Sequence, residues 1–133
     1  MSPDTSDDSF DGGTAGGRRF AVAARQVGGA AVLSLTGELD HDTVEPLRTA
    51  LAEQIAAAPE RIVVDCAGLR FCDSTGLNAL LRARAAATRA ECCGIELAAL
   101  QPPVARMFEI TGAYAVFRIH ADLEQALAGR PPE

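Results

Sequence analysis

Lysine is missing altogether: the chain has 133 residues, and its 12 basic ones are all arginine. With no lysine, a glycine-rich phosphate-binding loop of the kind that reaches a nucleotide with a lysine is excluded. Tryptophan is also absent, and tyrosine occurs once. Together with a net charge of −6, that scarcity of aromatics outside apparent core positions argues against non-specific nucleic-acid binding. No apolar run approaches the roughly 20 residues needed to cross a bilayer. The N-terminus lacks the basic-then-apolar order of a secretory signal, so a cytoplasmic protein is expected. His41 and His120 are the only histidines, and neither sits at ligand spacing from a cysteine. Cys66, Cys72, Cys92 and Cys93 form no C-x-x-C pair, so zinc is not expected and the thiols read as reduced. The vicinal Cys92-Cys93, beside Gly94, is open to oxidation in air.

The stretch Arg61–Arg84, RIVVDCAGLRFCDSTGLNALLRAR, is what remains to organise the chain. Ile62-Val63-Val64 is a β-branched run too short for a helix, bounded by Ala67-Gly68, and reads as a strand buried on both faces of a parallel sheet. Leu77, Leu80, Leu81 and Ala85 follow at helical spacing, with Arg82, Arg84 and Arg89 off that stripe. Phe71 to Gly76 reads as the loop between strand and helix. Within it, Asp73-Ser74-Thr75 is a helix start, since short oxygen-bearing side chains accept hydrogen bonds from the free N–H groups of the first turn. A hydroxyl there is also well placed for phosphorylation, because the helix N-terminus tolerates an added anion. Gly76 keeps that start uncluttered and would let another surface come close.

Around this centre the spacing predicts one domain. Residues 1–17, rich in Ser, Asp and Gly, read as a disordered tail, residues 18–129 as the domain, and 130–133 as a loose end. Phe20 to Arg25 reads as a strand, Gly28-Gly29 as a turn, and Ala31 to Thr36 as a second, antiparallel strand. Asp42 with Glu45 spells a capping box for a helix that buries Val44, Leu47, Leu51 and Ile55 and ends near Ala58-Pro59. Beyond the central unit come a strand over Gly94 to Leu100 and a helix from Pro102-Pro103 with Val104, Met107, Phe108 and Thr111 inward, stopped by Gly112. A strand over Val116 to Ile119 and a short helix capped by Asp122 follow. The order ββαβαβαβα implies an α/β fold, about five strands and four helices in a mixed but mostly parallel sheet.

Enzymatic readings fail on the residues. Ser74 has no G-x-S-x-G elbow around it, and six residues after Cys72 stands Asn78, not the arginine of a phosphatase loop. Asp65, at the expected end of a buried strand, suggests the phosphoacceptor of a response-regulator receiver. A receiver also needs an acidic pair after its first strand and a lysine at a later strand end, and both are lacking. Asp65 is better read as bonding local backbone N–H groups. Glu38 and Asp40 form a carboxylate pair suited to a metal or to acid–base work, or else Asp40 and Asp42 compete to cap the next helix. His41 reads as an exposed loop residue.

The motif Phe71-x-Asp73-Ser74-Thr75-Gly76-Leu77, with Thr36-Gly37-Glu38-Leu39-Asp40 upstream, resembles the STAS-domain anti-sigma factor antagonists of bacteria, over about Phe20 to Ala128. The resemblance implies the same sheet layout and a protein-binding switch that is not an enzyme and holds no cofactor or metal. The unphosphorylated form would bind an anti-sigma factor with serine kinase activity and so free a sigma factor. Phosphorylation would switch that binding off, and a metal-dependent serine phosphatase would restore it. It further implies Ser74 as the phosphoacceptor, Asp73 as its contact neighbour, Thr75 as a second hydroxyl, and Gly76, Asp40 and Glu38 as part of the partner surface, with no nucleic acid or membrane involved. The alternative within the family is a scaffold or stressosome-like interaction module.

Overall fold

Alternation along the central strands divides the molecule into two unequal faces. The structure is a computed structural model that describes residues 19–129; the expected tail over 1–17 and the loose end over 130–133 lie outside the described residues. Its elements run β1 (Phe20–Val27), β2 (Ala30–Leu39), α1 (Glu45–Ala57), β3 (Arg61–Cys72), α2 (Ser74–Arg89), β4 (Ile95–Ala98), α3 (Pro102–Thr111), a 3-10 turn (Ala113–Ala115), β5 (Arg118–His120) and α4 (Leu123–Ala128). The strands form one sheet in the order β1-β2-β3-β4-β5, with β1 antiparallel to β2 and the other neighbours parallel. This is the α/β layout expected from the order of elements.

Successive strand residues point to opposite faces. Leu33 and Leu35 of β2, Ile62 and Val64 of β3, and Ile95 and Leu97 of β4 share the major core with Leu47 and Leu51 of α1, Leu77 and Leu80 of α2, and Val104 and Phe108 of α3. Three helices therefore cover one face, as crossovers of one hand stepping in one direction require. The intervening residues Val63 and Ala98 meet Ala126 and Leu123 of α4 on the other face. That second face also holds a buried charged cluster with no sequence signal of its own. Arg61 Nε donates to Glu96 Oε2 at 3.0 Å, its NH1 donates to the Gly129 carbonyl at 3.2 Å, and His120 Nε2 donates to Glu96 Oε1 at 2.7 Å. Burial alone would push the Glu96 carboxyl up, but the bonds from Arg61 and His120 outweigh it and hold it below the ordinary carboxylate range.

Several local expectations are corrected. β2 runs on to Leu39, and β3 runs past Ala67-Gly68 to Cys72, leaving only Asp73 between it and α2. The pairing explains why: Ser34 pairs with Asp65 but Thr36 with Gly68, and Gly37 with Leu69 but Glu38 with Phe71. Each step places one extra residue in β3, a bulge that lets the strand continue. Asp65 thus lies within a strand rather than at its end, although its Oδ1 does accept from the Ala67 N–H at 3.1 Å. On α2 the inward stripe is Leu77, Ala79, Leu80, Ala83 and Ala87, while Ala85 is exposed, because the helix turns partly toward α1. β4 is shorter than expected, Val116 is exposed ahead of β5, and Thr111 is exposed with its Oγ1 bonded to the Met107 carbonyl at 2.9 Å. Among the described residues no helix is long and apolar enough to cross a membrane.

Candidate functional site

Parallel strands bring their C-terminal ends to one edge of the sheet, and here the ends of β2 and β3 lie side by side. Leu39 pairs with Cys72, and the Asp73 N–H donates to the Leu39 carbonyl at 3.1 Å. Because β1 is antiparallel, its start reaches the same edge: the Glu38 N–H donates to the Arg19 carbonyl at 2.6 Å. Gly37 makes that approach possible, since its φ is +103° and a Cβ would lie 1.9 Å from the Arg19 oxygen. The upstream and downstream motifs are thereby joined at one place.

Asp73 has extended backbone angles and is the N-cap of α2; its Oδ1 accepts from the N–H groups of Thr75 at 2.9 Å and Gly76 at 3.1 Å. Ser74 follows as the first helical residue and is exposed, so the capping duty at this helix start falls on the neighbouring aspartate. Thr75 is half-buried. Gly76 is buried, and a Cβ there would come within 2.7 Å of Leu39 and 2.9 Å of Cys72 Sγ. The glycine is needed inside the molecule, where α2 sits on the end of β2, rather than at an open surface. Cys72 beneath it is buried, and burial, aided by the Asp73 carboxylate, pushes its thiol up to about 12, which leaves it protonated and unreactive.

The β2 end forms an acidic rim that two arginines hold. Arg19 grips Asp40 through both guanidinium nitrogens at 2.9 and 3.2 Å and reaches Glu38 at 3.4 Å, while Arg70 lies 3.9 Å from Glu38. The Arg19 hydrogen bond, against the opposing effect of burial, holds the Asp40 carboxyl below its ordinary range. Asp40 Oδ1 also accepts from the Asp42 N–H at 3.0 Å, and Thr43 Oγ1 accepts from the Asp40 N–H and donates to the Glu38 carbonyl, both at 2.9 Å. The expected Asp42–Glu45 capping box is therefore absent. The N-cap of α1 is Val44, which makes no side-chain cap, and Asp42 stands two residues outside the helix, out of capping register. Glu45 instead pairs with Arg48.

One residue of this edge was not foreseen as part of a surface. Phe71 is 49% exposed, beside Glu38 across the ladder. Strict alternation places it on the buried face with Leu69, but the bulge between them reverses its direction. Glu38, Asp40, Asp73, Ser74 and Thr75 are all brought to this edge. His41 is exposed, 3.3 Å from Asp42, and His120 belongs to the cluster on the far face; among the described residues neither histidine is hydrogen-bonded to Ser74. Among the described residues no three His, Cys, Asp or Glu side chains form a group able to hold a metal ion.

Comparison with known proteins bears on this arrangement. The family model described as "Mlab, STAS domain" matches residues 22–129. The chain is 31% identical over 110 residues to the anti-sigma-F factor antagonist RsfB of Mycobacterium tuberculosis, covering 83% of this chain and 88% of that one. The crystal structure of an anti-sigma factor antagonist from Mycobacterium paratuberculosis superposes with a TM-score of 0.72 at 27% identity, covering 82% and 92% of the two chains. The antagonist SpoIIAA matches in its unphosphorylated form with a TM-score of 0.68 at 28% identity, covering 80% of this chain and 93% of that one. In its phosphorylated form, described as a Bacillus cell fate determinant, it matches with 0.65 at 25% identity, covering 81% and 97%.

Proposed function

The chain belongs to the STAS-domain family of anti-sigma factor antagonists, and on that premise we propose that it is a protein-binding switch controlled at Ser74. The unphosphorylated form binds an anti-sigma factor and so releases a sigma factor. The anti-sigma factor is also a serine kinase that phosphorylates Ser74, and a metal-dependent serine phosphatase reverses the modification. ATP and magnesium bind in the partners, and this chain breaks no bond itself. On this reading the protein works in the cytoplasm, without direct contact to nucleic acid or membrane.

The observation that carries the proposal is the exposed Ser74 at the first position of a 16-residue helix whose N-cap is another residue. Such a hydroxyl can be modified without dismantling the helix start. The relative SpoIIAA, which has been solved both unphosphorylated and phosphorylated, supports the reading. A phosphate adds about −1.5 to −2 charge, which a helix N-terminus accommodates, so the fold should persist. For a docked partner the balance reverses. Asp73 is adjacent, Glu38 and Asp40 line the same edge, and Arg19 and Arg70 are already engaged with those carboxylates. Phe71 gives the surface an apolar anchor, Thr75 flanks the acceptor, and Gly76 acts from below by fixing the helix against β2. Burying an uncompensated charge in such an interface costs on the order of 2–5 kcal/mol, or roughly 30-fold to several-thousand-fold in affinity.

The test is to combine the purified chain with its anti-sigma factor, ATP and magnesium and to map the product by mass spectrometry. One phosphate on Ser74 is expected. Ser74→Ala should stay unmodified yet bind like wild type, and Ser74→Asp should fold but bind at least about 30-fold more weakly. Phosphate on Thr75 instead would move the acceptor, and undiminished binding by Ser74→Asp would remove the charge mechanism.

A further inference from the structure

A second feature lies on the outer side of the α1–α2 pair, away from the sheet edge. The two helices enclose a shallow groove of about 270 Å³ whose only charged lining residues are Arg48, Arg82 and Arg89. Its floor is Leu51 from α1 with Ala79, Ala83 and Ala86 from α2. The charge is notable against the rest of the chain, which carries −6 overall, because Ser74–Arg89 contains three arginines and no carboxylate. A solvated helix face normally intersperses both signs, with acids at three or four residues from bases. Here no acid stands three or four residues from Arg82 or Arg89. Among the described residues neither makes an ion pair, and Arg48 has only Glu45, one turn away.

We propose that this groove docks an acidic amphipathic helix of a partner protein, through a surface distinct from the edge around Ser74. The geometry selects a helix among anionic ligands. Ala52 and Ile55 of α1 and Ala86 of α2 keep apolar surface open along the groove, while Leu51, Ala79 and Ala83 beneath them are buried, so a third helix can lie on a low apolar strip between the guanidinium groups. Arg82 and Arg89 are two turns apart, about 10 Å along α2, and so match carboxylates two turns apart on the incoming helix. Arg48 closes the groove from the α1 side. A lipid headgroup would instead call for arginines gathered at one point, and here they are spread along the length of the groove. Ser74 lies about 12 Å up the helix from Arg82, which leaves room for both surfaces to be occupied at once.

The test uses the full chain and three fluorescein-labelled synthetic peptides: an amphipathic helix with glutamates on one face and leucine and alanine on the other, the same helix with lysines replacing the glutamates, and a scrambled acidic peptide. Fluorescence anisotropy at low salt should show saturable binding of the acidic helix alone. Arg82→Glu with Arg89→Glu should weaken it at least tenfold, and the milder Arg82→Gln with Arg89→Gln severalfold, with circular dichroism unchanged. Ser74→Asp should leave this binding intact, which separates the groove from the Ser74 edge. Equal binding of the scrambled peptide, or no loss in the arginine variants, would overturn the proposal. So would tighter binding to anionic phospholipid vesicles than to the helix, or binding that appears only after removal of the acidic residues 1–17, since the occupant would then be a lipid or the chain's own N-terminal segment.

Discussion

At the helix start that opens α2, two adjacent residues divide two tasks. Asp73 spends its carboxylate on the N–H groups of Thr75 and Gly76, and Ser74 is left exposed. The stability consequences differ accordingly. Asp73→Ala should cost about 1 kcal/mol, the ordinary value of a lost N-cap, whereas Ser74→Ala should change stability by less than about 0.5 kcal/mol. Urea denaturation of the two variants gives the comparison; a larger loss for Ser74→Ala would return the capping role to the serine. The four thiols divide as clearly. Cys66 and Cys72 are buried and their thiols are pushed up by burial, while Cys92 and Cys93 are half-buried with their sulfurs 3.6 Å apart, and burial together with the contact to Cys92 pushes the Cys93 thiol up to about 12 as well. A thiol reagent such as dithionitrobenzoate should therefore reach only Cys92 and Cys93 in the folded protein, Cys93 slowly, and all four in denaturant. Rapid reaction of all four without denaturant would mean that the α2–β3 packing opens readily.

At the scale of elements, the close contact between the start of β1 and the end of β2 rests on Gly37. Gly37→Ala adds a Cβ 1.9 Å from a backbone oxygen at a φ of +103°, so neither neighbour can yield cheaply. The loss should exceed about 2 kcal/mol, seen as a lower urea midpoint, with Glu38 and Asp40 displaced from Arg19. A neutral outcome would show that β1 need not approach β2 so closely. This contact also marks the limit of what the chain's pattern discloses. Hydrophobic spacing was enough for the element order, the sheet class, the inward residues of α1, and Val104, Met107 and Phe108 of α3 though not Thr111, because those follow local periodicity. The full length of β3 was not legible, since its two bulges are imposed by pairing with β2 and leave no local trace at Ala67-Gly68. The same bulges turned Phe71 outward against its alternation. Asp42–Glu45 had the letters of a capping box, but the long-range bonds of Asp40 to Arg19, together with its local bonds to Thr43, set where α1 begins. The Ser74 edge was legible as two motifs; that they meet depends on strand order, which spacing alone does not encode.

Across the whole molecule, charge is buried on the α4 face, and this should govern the response to acid. Arg61, Glu96 and His120 come from three neighbouring strands, and Arg61 also holds the Gly129 carbonyl beyond α4, so the cluster ties the last helix to the sheet. Glu96 is held below the ordinary carboxylate range in the fold, as is Asp40 on the opposite side of the molecule. A carboxyl depressed in the native state contributes stability that is fully present above its unfolded value, near about 4.3 for glutamate, and is lost as pH falls through the lower native value. The melting temperature should therefore be flat from neutral pH to about pH 5 and fall below about pH 4. Glu96→Gln leaves Arg61 buried without its counter-charge, a loss of about 3–5 kcal/mol, and should lower the melting temperature at pH 7 by roughly 12–20 °C while flattening the acid limb. Replacing both partners, as in Arg61→Met with Glu96→Met, should cost much less than either single change, because no uncompensated charge is then left inside. If the acid limb of Glu96→Gln were as steep as that of wild type, the acid sensitivity would have to come from Asp40 and the ordinary surface carboxylates instead.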